Sequence, residues 1–274
     1  MTRSGDGAPT DHATGRPVAV VTGAARGIGA AVVVALAGAG WAVVATDVAG
    51  DDPRLPYRLG TRDELEDVAA AGGGSVVPLV ADTCDPAALR GAVDEAERRF
   101  GGLDAMVAVA GVVGGGVPLW EMEEGALRAV LDIDLLGPVV AARVAVPALL
   151  RRPSPRRGRF VAVASTAATR GMPGLAAYGA AKAGVSGLVR GLAADLRGTG
   201  ITANAISPGS TDTAGLAESA RLYGLPSPLD FAIQQPIERL IQPAEIAAAV
   251  LWLADAGTGA VTGTTIAVDG GLAL

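Results

Sequence analysis

The sequence predicts a single-domain α/β protein built on a doubly wound parallel sheet, and three observations carry that prediction. From Pro17 onward, short β-branched apolar runs alternate with longer Ala-rich segments, the pattern of parallel strands joined by crossover helices. A Gly-rich turn joins the first run to the first helix, and an acidic residue closes the second run. A chain of 274 residues with 50% hydrophobic content can bury one large core, and α/β folds of this size commonly stay undivided.

The elements follow in order. Val18 to Thr22 is the first strand, about Ile28 to Ala39 the first helix, and Trp41 to Thr46 the second strand, ending at Asp47. Together they form one βαβ unit. Further strands are expected at Ser75 to Val80, Ala105 to Val109, Arg159 to Ala164, Thr202 to Ile206 and Thr265 to Val268, making about seven with helices on both faces. The sheet domain is expected to span 17–274 and to follow a disordered tail, 1–16, that holds the only His, His12. Two connections, Val48 to about Arg62 and Ala214 to about Gln242, exceed ordinary loop lengths and follow carboxyl ends of strands, where such sheets bind ligands. They are expected to be rims or lids, with 214–242 over the substrate.

Composition narrows the partners. The net charge is −6 and the one basic cluster, Arg151, Arg152, Arg156 and Arg157, lies among prolines in a connecting loop, which argues against nucleic acid. The single Cys84 forbids an internal disulfide, no uninterrupted apolar run has the length of a membrane span, and no metal-ligand pattern occurs, so a cytoplasmic protein without a metal is expected.

In the turn Thr22-Gly23-Ala24-Ala25-Arg26-Gly27-Ile28-Gly29, Gly23 permits the sharp bend, Gly27 the close approach of backbone to a pyrophosphate, and Gly29 tight packing of the helix. The helix N-terminus then presents free N–H groups to the anion. Asp47 is placed to accept hydrogen bonds from both adenosine ribose hydroxyls and to repel a 2′-phosphate, which favours NAD over NADP, although Arg26 would soften that preference. Val48 beside it, and Asp82 and Thr83 after the third strand, complete the adenosine half; an Asp at Asp82 would equally serve as a helix cap.

Ser165 ends the fifth strand, and Tyr178 and Lys182 stand four residues apart on one face of an expected helix from Ala176 to Leu196. An ammonium near a phenol favours the phenolate and brings it toward the working range of a proton acceptor. TGAARGIG at 22–29, Ser165, YGAAK at 178–182 and SPG at 207–209 together resemble the classical short-chain dehydrogenase/reductase family across nearly the whole chain. The resemblance implies that Tyr178 exchanges the proton of an alcohol or ketone oxygen while hydride passes to or from the nicotinamide, that Ser165 holds that oxygen, and that Lys182 also holds the nicotinamide ribose. It places Pro208, Gly209, Thr211 and Thr213 around the nicotinamide, and implies a homotetramer.

Two positions depart from the family pattern. The family's NNAG is Ala108, Val109, Ala110 and Gly111 here, which keeps the cofactor wall at Ala110 and Gly111 but loses the amides that tie neighbouring strands. Asp134 aligns with a catalytic Asn; it can accept a hydrogen bond but cannot donate as an amide does, which would alter a proton relay through Lys182. The segment after Asp47, with Leu55-Pro56-Tyr57, also resembles actinobacterial members associated with the redox cofactor mycofactocin. There the insertion is thought to clamp NAD, so that electrons leave through an external carrier; a plain surface loop is the alternative.

The expected substrate is a hydrophobic secondary alcohol or ketone, in a pocket lined by Val112 to Val117, Thr166 to Leu175 and the lid. Met172 is a candidate contact, while Cys84, Trp120 and Trp252 read as structural. The competing readings are an NADPH-dependent 3-oxoacyl thioester reductase, which Asp47 opposes, and a non-catalytic dinucleotide sensor, which the intact Ser165, Tyr178 and Lys182 oppose.

Overall fold

The computed structural model describes residues 15–274, so His12 and nearly all of the expected tail lie outside the described residues. Seven parallel strands form one sheet: β1 (Val18–Thr22), β2 (Ala42–Asp47), β3 (Val76–Val80), β4 (Ala105–Ala108), β5 (Arg159–Val163), β6 (Thr202–Pro208) and β7 (Thr265–Val268), in the order β3-β2-β1-β4-β5-β6-β7. The order reverses between β1 and β4, and that switch point opens a crevice at the carboxyl ends of the strands. β1, β2, β4 and β5 are buried along their whole length, which is why they read as continuous apolar runs.

One face of the sheet is covered by α1 (Gly27–Gly38), α2 (Arg62–Ala71) and α8 (Pro243–Ala254), the other by α3 (Pro86–Phe100), α5 (Gly137–Arg151) and α6 (Ala176–Asp195). Their ends are written locally. Asp85 accepts the Ala87 N–H at 2.8 Å ahead of Pro86, and left-handed Gly101 stops α3. Thr61 and Glu64 form a reciprocal capping box on α2. Between α4 (Glu124–Leu131) and α5 the helix widens into a π turn, Asp132–Leu136, that carries Asp134. The helical stretch 124–151 is long and apolar enough to cross a membrane, but half of its most apolar window is buried in the protein, as in a core helix.

Several expectations are corrected. The second strand starts one residue late, at Ala42, and ends at Asp47 as expected, and the sixth runs through Pro208. Trp120 sits in a short 3-10 turn, Leu119–Glu121, and is 85% exposed. The helix-capping role considered for Asp82 belongs to Asp85. The strand tie lost with the family asparagines is supplied by Thr22, whose Oγ1 accepts the N–H groups of Val109 and Ala110, both at 3.1 Å.

Candidate active site

A cavity of about 850 Å³ follows the switch-point crevice from the glycine turn to the 214–242 segment. One end of it is built on α1. No side chain caps that helix, so its first-turn N–H groups face the cavity unclaimed. The glycines are required by their neighbours: a Cβ on Gly23 would come within 2.6 Å of the Ala110 backbone, and one on Gly29 would overlap the Gly23 carbonyl. Gly27, at φ +58°, adopts a backbone that favours glycine.

Asp47 is buried at the end of β2, where Oδ2 accepts the Ala25 N–H and Oδ1 the Ala49 N–H, each at 3.1 Å. Ala25 therefore stands behind the cavity wall rather than in it, contrary to its expected contact with the cofactor. Gly23, Arg26, Gly27, Ile28, Gly29, Asp47, Val48, Asp82, Thr83, Ala110, Gly111, Pro208, Gly209, Thr211 and Thr213 all line the cavity. Thr83 Oγ1 is buried with no hydrogen-bond partner, a polar atom left for a ligand to satisfy. An uncapped helix start, a cradle that tolerates only glycine, a carboxylate on the cavity wall and an orphan hydroxyl fit a dinucleotide.

Ser165, Tyr178, Lys182 and Asp134 meet at the centre of the cavity. Ser165 follows β5, its hydroxyl accepts the Ala167 N–H at 3.1 Å, and it lines the same cavity as the Tyr178 phenol, whose proton affinity it helps to lower. One helical turn separates Tyr178 from Lys182, whose Nζ lies 5.7 Å from the phenol ring centroid. Lys182 is buried and donates to the Val163 carbonyl at 3.2 Å and to Asp134 Oδ1 at 2.9 Å. Burial alone would lower the lysine's pKa, but the carboxylate of Asp134 and the phenol outweigh it and hold it above its ordinary value. Burial raises the Tyr178 pKa; Lys182 opposes that rise and Asp134 adds to it.

The 48–61 segment is a strap across the cavity. Tyr57 Oη accepts the Val113 N–H at 2.8 Å, Arg54 pairs with Asp132 at 2.7 Å, Arg26 donates to the Arg58 carbonyl at 2.7 Å, and Leu55 is buried against Val112, Ala129 and Val130. Neither Tyr57 nor Arg54 is among the expected site residues; the length of the connection and the Leu55-Pro56-Tyr57 resemblance are the signals that point to this segment. Cys84, expected to be structural, lines the cavity, as do Arg170, Tyr223 and Phe231. Met172 takes its expected place, whereas the expected wall at Gly114 to Val117 does not: only Val112 and Val113 of that run reach the cavity. The 214–242 segment, expected to be a lid, contains α7 (Ala214–Leu222) and a 3-10 turn, Pro228–Gln234, followed by the fully buried Gln235. Gln235 accepts the Ser210 N–H at 2.9 Å and donates to the Arg239 carbonyl at 2.7 Å, fastening the lid to the turn after β6.

This arrangement defines a dinucleotide-dependent oxidoreductase of the α/β class, and comparison with known proteins agrees. Residues 23–273 match the family model described as enoyl-(acyl carrier protein) reductase. The chain is 38% identical over 259 residues to cis-4-hydroxycyclohexanecarboxylate dehydrogenase of Sinomonas cyclohexanicum, covering 93% of this chain and 95% of that one. It is 32% identical to carveol dehydrogenase from Mycobacterium avium, solved in complex with NAD, with a TM-score of 0.87 over 93% of this chain and 97% of that one. It is likewise 32% identical to the 3-oxoacyl-[acyl-carrier-protein] reductase FabG of Thermotoga maritima, over 94% of this chain and 98% of that one. The chain belongs to the short-chain dehydrogenase/reductase family.

Proposed function

We propose that this protein is an NAD-dependent dehydrogenase that oxidises a hydrophobic cyclic secondary alcohol to its ketone, with Tyr178 as acid/base. The observation that carries the reading is the meeting of Ser165, Tyr178 and Lys182 in one cavity with the glycine cradle and Asp47. Bound NAD+ would supply the hydride acceptor. The protein's part is to hold the alcohol oxygen between the Ser165 hydroxyl and the phenol, and to receive its proton at Tyr178 Oη. Lys182 holds a positive charge under that phenol, and the largely apolar walls from Val112, Met172, Leu216, Tyr223 and Phe231 favour a ring without charge at its centre. Relatives whose names specify a hydroxycyclohexane acid and carveol support the cyclic class.

Asp47 favours NAD over NADP and so weighs against a 3-oxoacyl thioester reductase. The strap pinned by Arg54 and Tyr57 supports retention of NAD between turnovers, with electrons passed to an external carrier such as mycofactocin. The exposed apolar side chains of Leu119, Trp120 and Leu136 support self-association, within the homotetramer and cytoplasmic location that belong to this reading.

The test has two arms. Mass spectrometry of the denatured purified protein reads which dinucleotide it carries, and turnover of cyclic secondary alcohols is measured with NAD+ and NADP+. Activity with NAD+ that is lost in Tyr178→Phe supports the proposal; NADP as the co-purified or preferred dinucleotide would sink it.

A further inference from the structure

Lys182 has two possible counter-ions in this cavity: the carboxylate of Asp134 and, once ionised, the phenol of Tyr178. The first is built into the protein: burial raises the proton affinity of the Asp134 carboxyl, while Lys182 and the Val112 N–H oppose that rise and favour the carboxylate. Asp134 is fully buried, accepts Lys182 Nζ at 2.9 Å and the Val112 N–H at 3.1 Å on the same oxygen, and its Oδ2 has no hydrogen-bond partner within the protein. The π turn Asp132–Leu136 sets the carboxylate there, and Gly111 leaves the room, since a Cβ at that position would lie 2.7 Å from Asp134 Oδ1. The pair is nearly dry, with side-chain exposures of 4% and 0%. Opposite charges at that separation in a weakly screened site offset part of each other's field at a neighbouring group, and at Tyr178 the two act in opposite directions.

We propose that Asp134 is a positioning residue that raises the proton affinity of Tyr178, by holding the Lys182 ammonium in a buried ion pair that competes with the phenolate. The inference rests on Tyr178 as the proton-transfer group and deepens that reading by naming what regulates it. The other groups around the phenol do not supply the missing charge. Ser165 beside the phenol is neutral, and Tyr57, from the strap, packs in the same cluster as a second phenol anchored on Val113. Glu218 and Arg26 influence Tyr57 from farther out and carry opposite signs. Asp132 is engaged by Arg54. With Lys182 compensated, the site at neutral pH is poised with its phenol protonated, ready to give a proton to a ketone, and alcohol oxidation draws on a small phenolate fraction that grows with pH.

The experiment is a spectrophotometric phenolate titration of the full-length protein, with and without NAD+, for the wild type, Asp134→Asn and Asp134→Ser, with Tyr178→Phe identifying the signal of Tyr178 among the three tyrosines. The expected result is that Asp134→Asn lowers the Tyr178 midpoint by about 1 unit or more. Oxidation at pH 7 then rises by up to about tenfold, less whatever the weaker base costs, and the alkaline pH profile moves down with the titration. An unchanged or raised midpoint overturns the proposal. Asp134→Ser gives the same reading if the amide variant fails to fold, and the wild type tests the idea alone: a midpoint below that of free tyrosine, about 10, overturns it. A lowered midpoint in a protein without turnover would leave the electrostatic inference standing and remove the dehydrogenase reading instead.

Discussion

Asp47 Oδ2 accepts the Ala25 N–H at 3.1 Å, so the acid at the end of β2 is held against the glycine turn before any ligand arrives. The same carboxylate accepts the Ala49 N–H, which starts the strap. Preorganisation of this kind spares the cost of ordering the group on binding. Asp47→Asn keeps an acceptor for one amide but loses the charge that ribose hydroxyls prefer. Charge-assisted hydrogen bonds contribute about 1.5–3 kcal/mol each, so NAD+ affinity is expected to fall about tenfold or more while the discrimination against NADP+ narrows. Fluorescence titration with both reduced cofactors checks this.

Tyr178→Phe is expected to lower oxidation by about 100- to 10,000-fold, the usual range for a positioned acid/base, with NAD+ affinity changed little. Steady-state kinetics with an equilibrium binding measurement separates the two quantities. Loss of both together would show that the phenol serves binding alone.

The strap makes its own prediction. The Arg54–Asp132 pair is about a third exposed on each side and contributes at most about 1 kcal/mol, and the Tyr57–Val113 hydrogen bond about 1 kcal/mol more. The double variant Arg54→Ala, Tyr57→Phe should therefore release NADH about tenfold faster in stopped-flow fluorescence. An unchanged rate would make the segment a surface loop without a hold on the cofactor.

Two glycines of one helix should behave oppositely. Gly29→Ala drives a methyl group into the Gly23 carbonyl, a backbone atom that cannot step aside, and is expected to cost about 2 kcal/mol or more together with dinucleotide binding. Gly38→Ala meets nothing within 4 Å and should be neutral or stabilising by up to about 1 kcal/mol. Thermal denaturation of both variants reads the contrast.

Cys84 lines the cavity, yet its thiol is pushed up to about 12, first by burial and then by the carboxylates of Asp82 and Asp132. The reactive thiolate is thus scarce at pH 8, below its pKa. Alkylation by iodoacetamide at that pH should run about a thousandfold slower than for an ordinary cysteine and accelerate tenfold per pH unit until the pKa is reached. Intact-protein mass spectrometry over time measures this, and rapid labelling at pH 8 would contradict the environment described.

Much of the fold was legible because its signals are local. Buried parallel strands must be apolar throughout, as β1 and β2 are, and the Gly23–Gly29 turn must connect strand to helix to serve its purpose. Strand ends were misjudged by a residue or two at β2 and β6, where the last pairing partner, not composition, decides the boundary. The wall expected at Gly114 to Val117 is absent because these residues pack against other elements, Gly116 donating to the Gly174 carbonyl at 3.0 Å, and nothing in a run of small residues announces those partners. Thr22 replaced the absent asparagines through hydrogen bonds to residues far along the chain, which spacing cannot reveal.

The sheet class, the glycine turn, Asp47 at its strand end, and Tyr178 and Lys182 on one helix face are all legible in residue order, because each follows from short-range geometry. Which charge Lys182 faces depends on long-range packing. Asp134 stands on a widened turn of another helix, and its 2.9 Å approach to the ammonium exists because packing of α4, α5 and α6 around Gly111 brings the two together in a site from which water is largely excluded. That contact arises from three-dimensional packing, and its strength comes from burial.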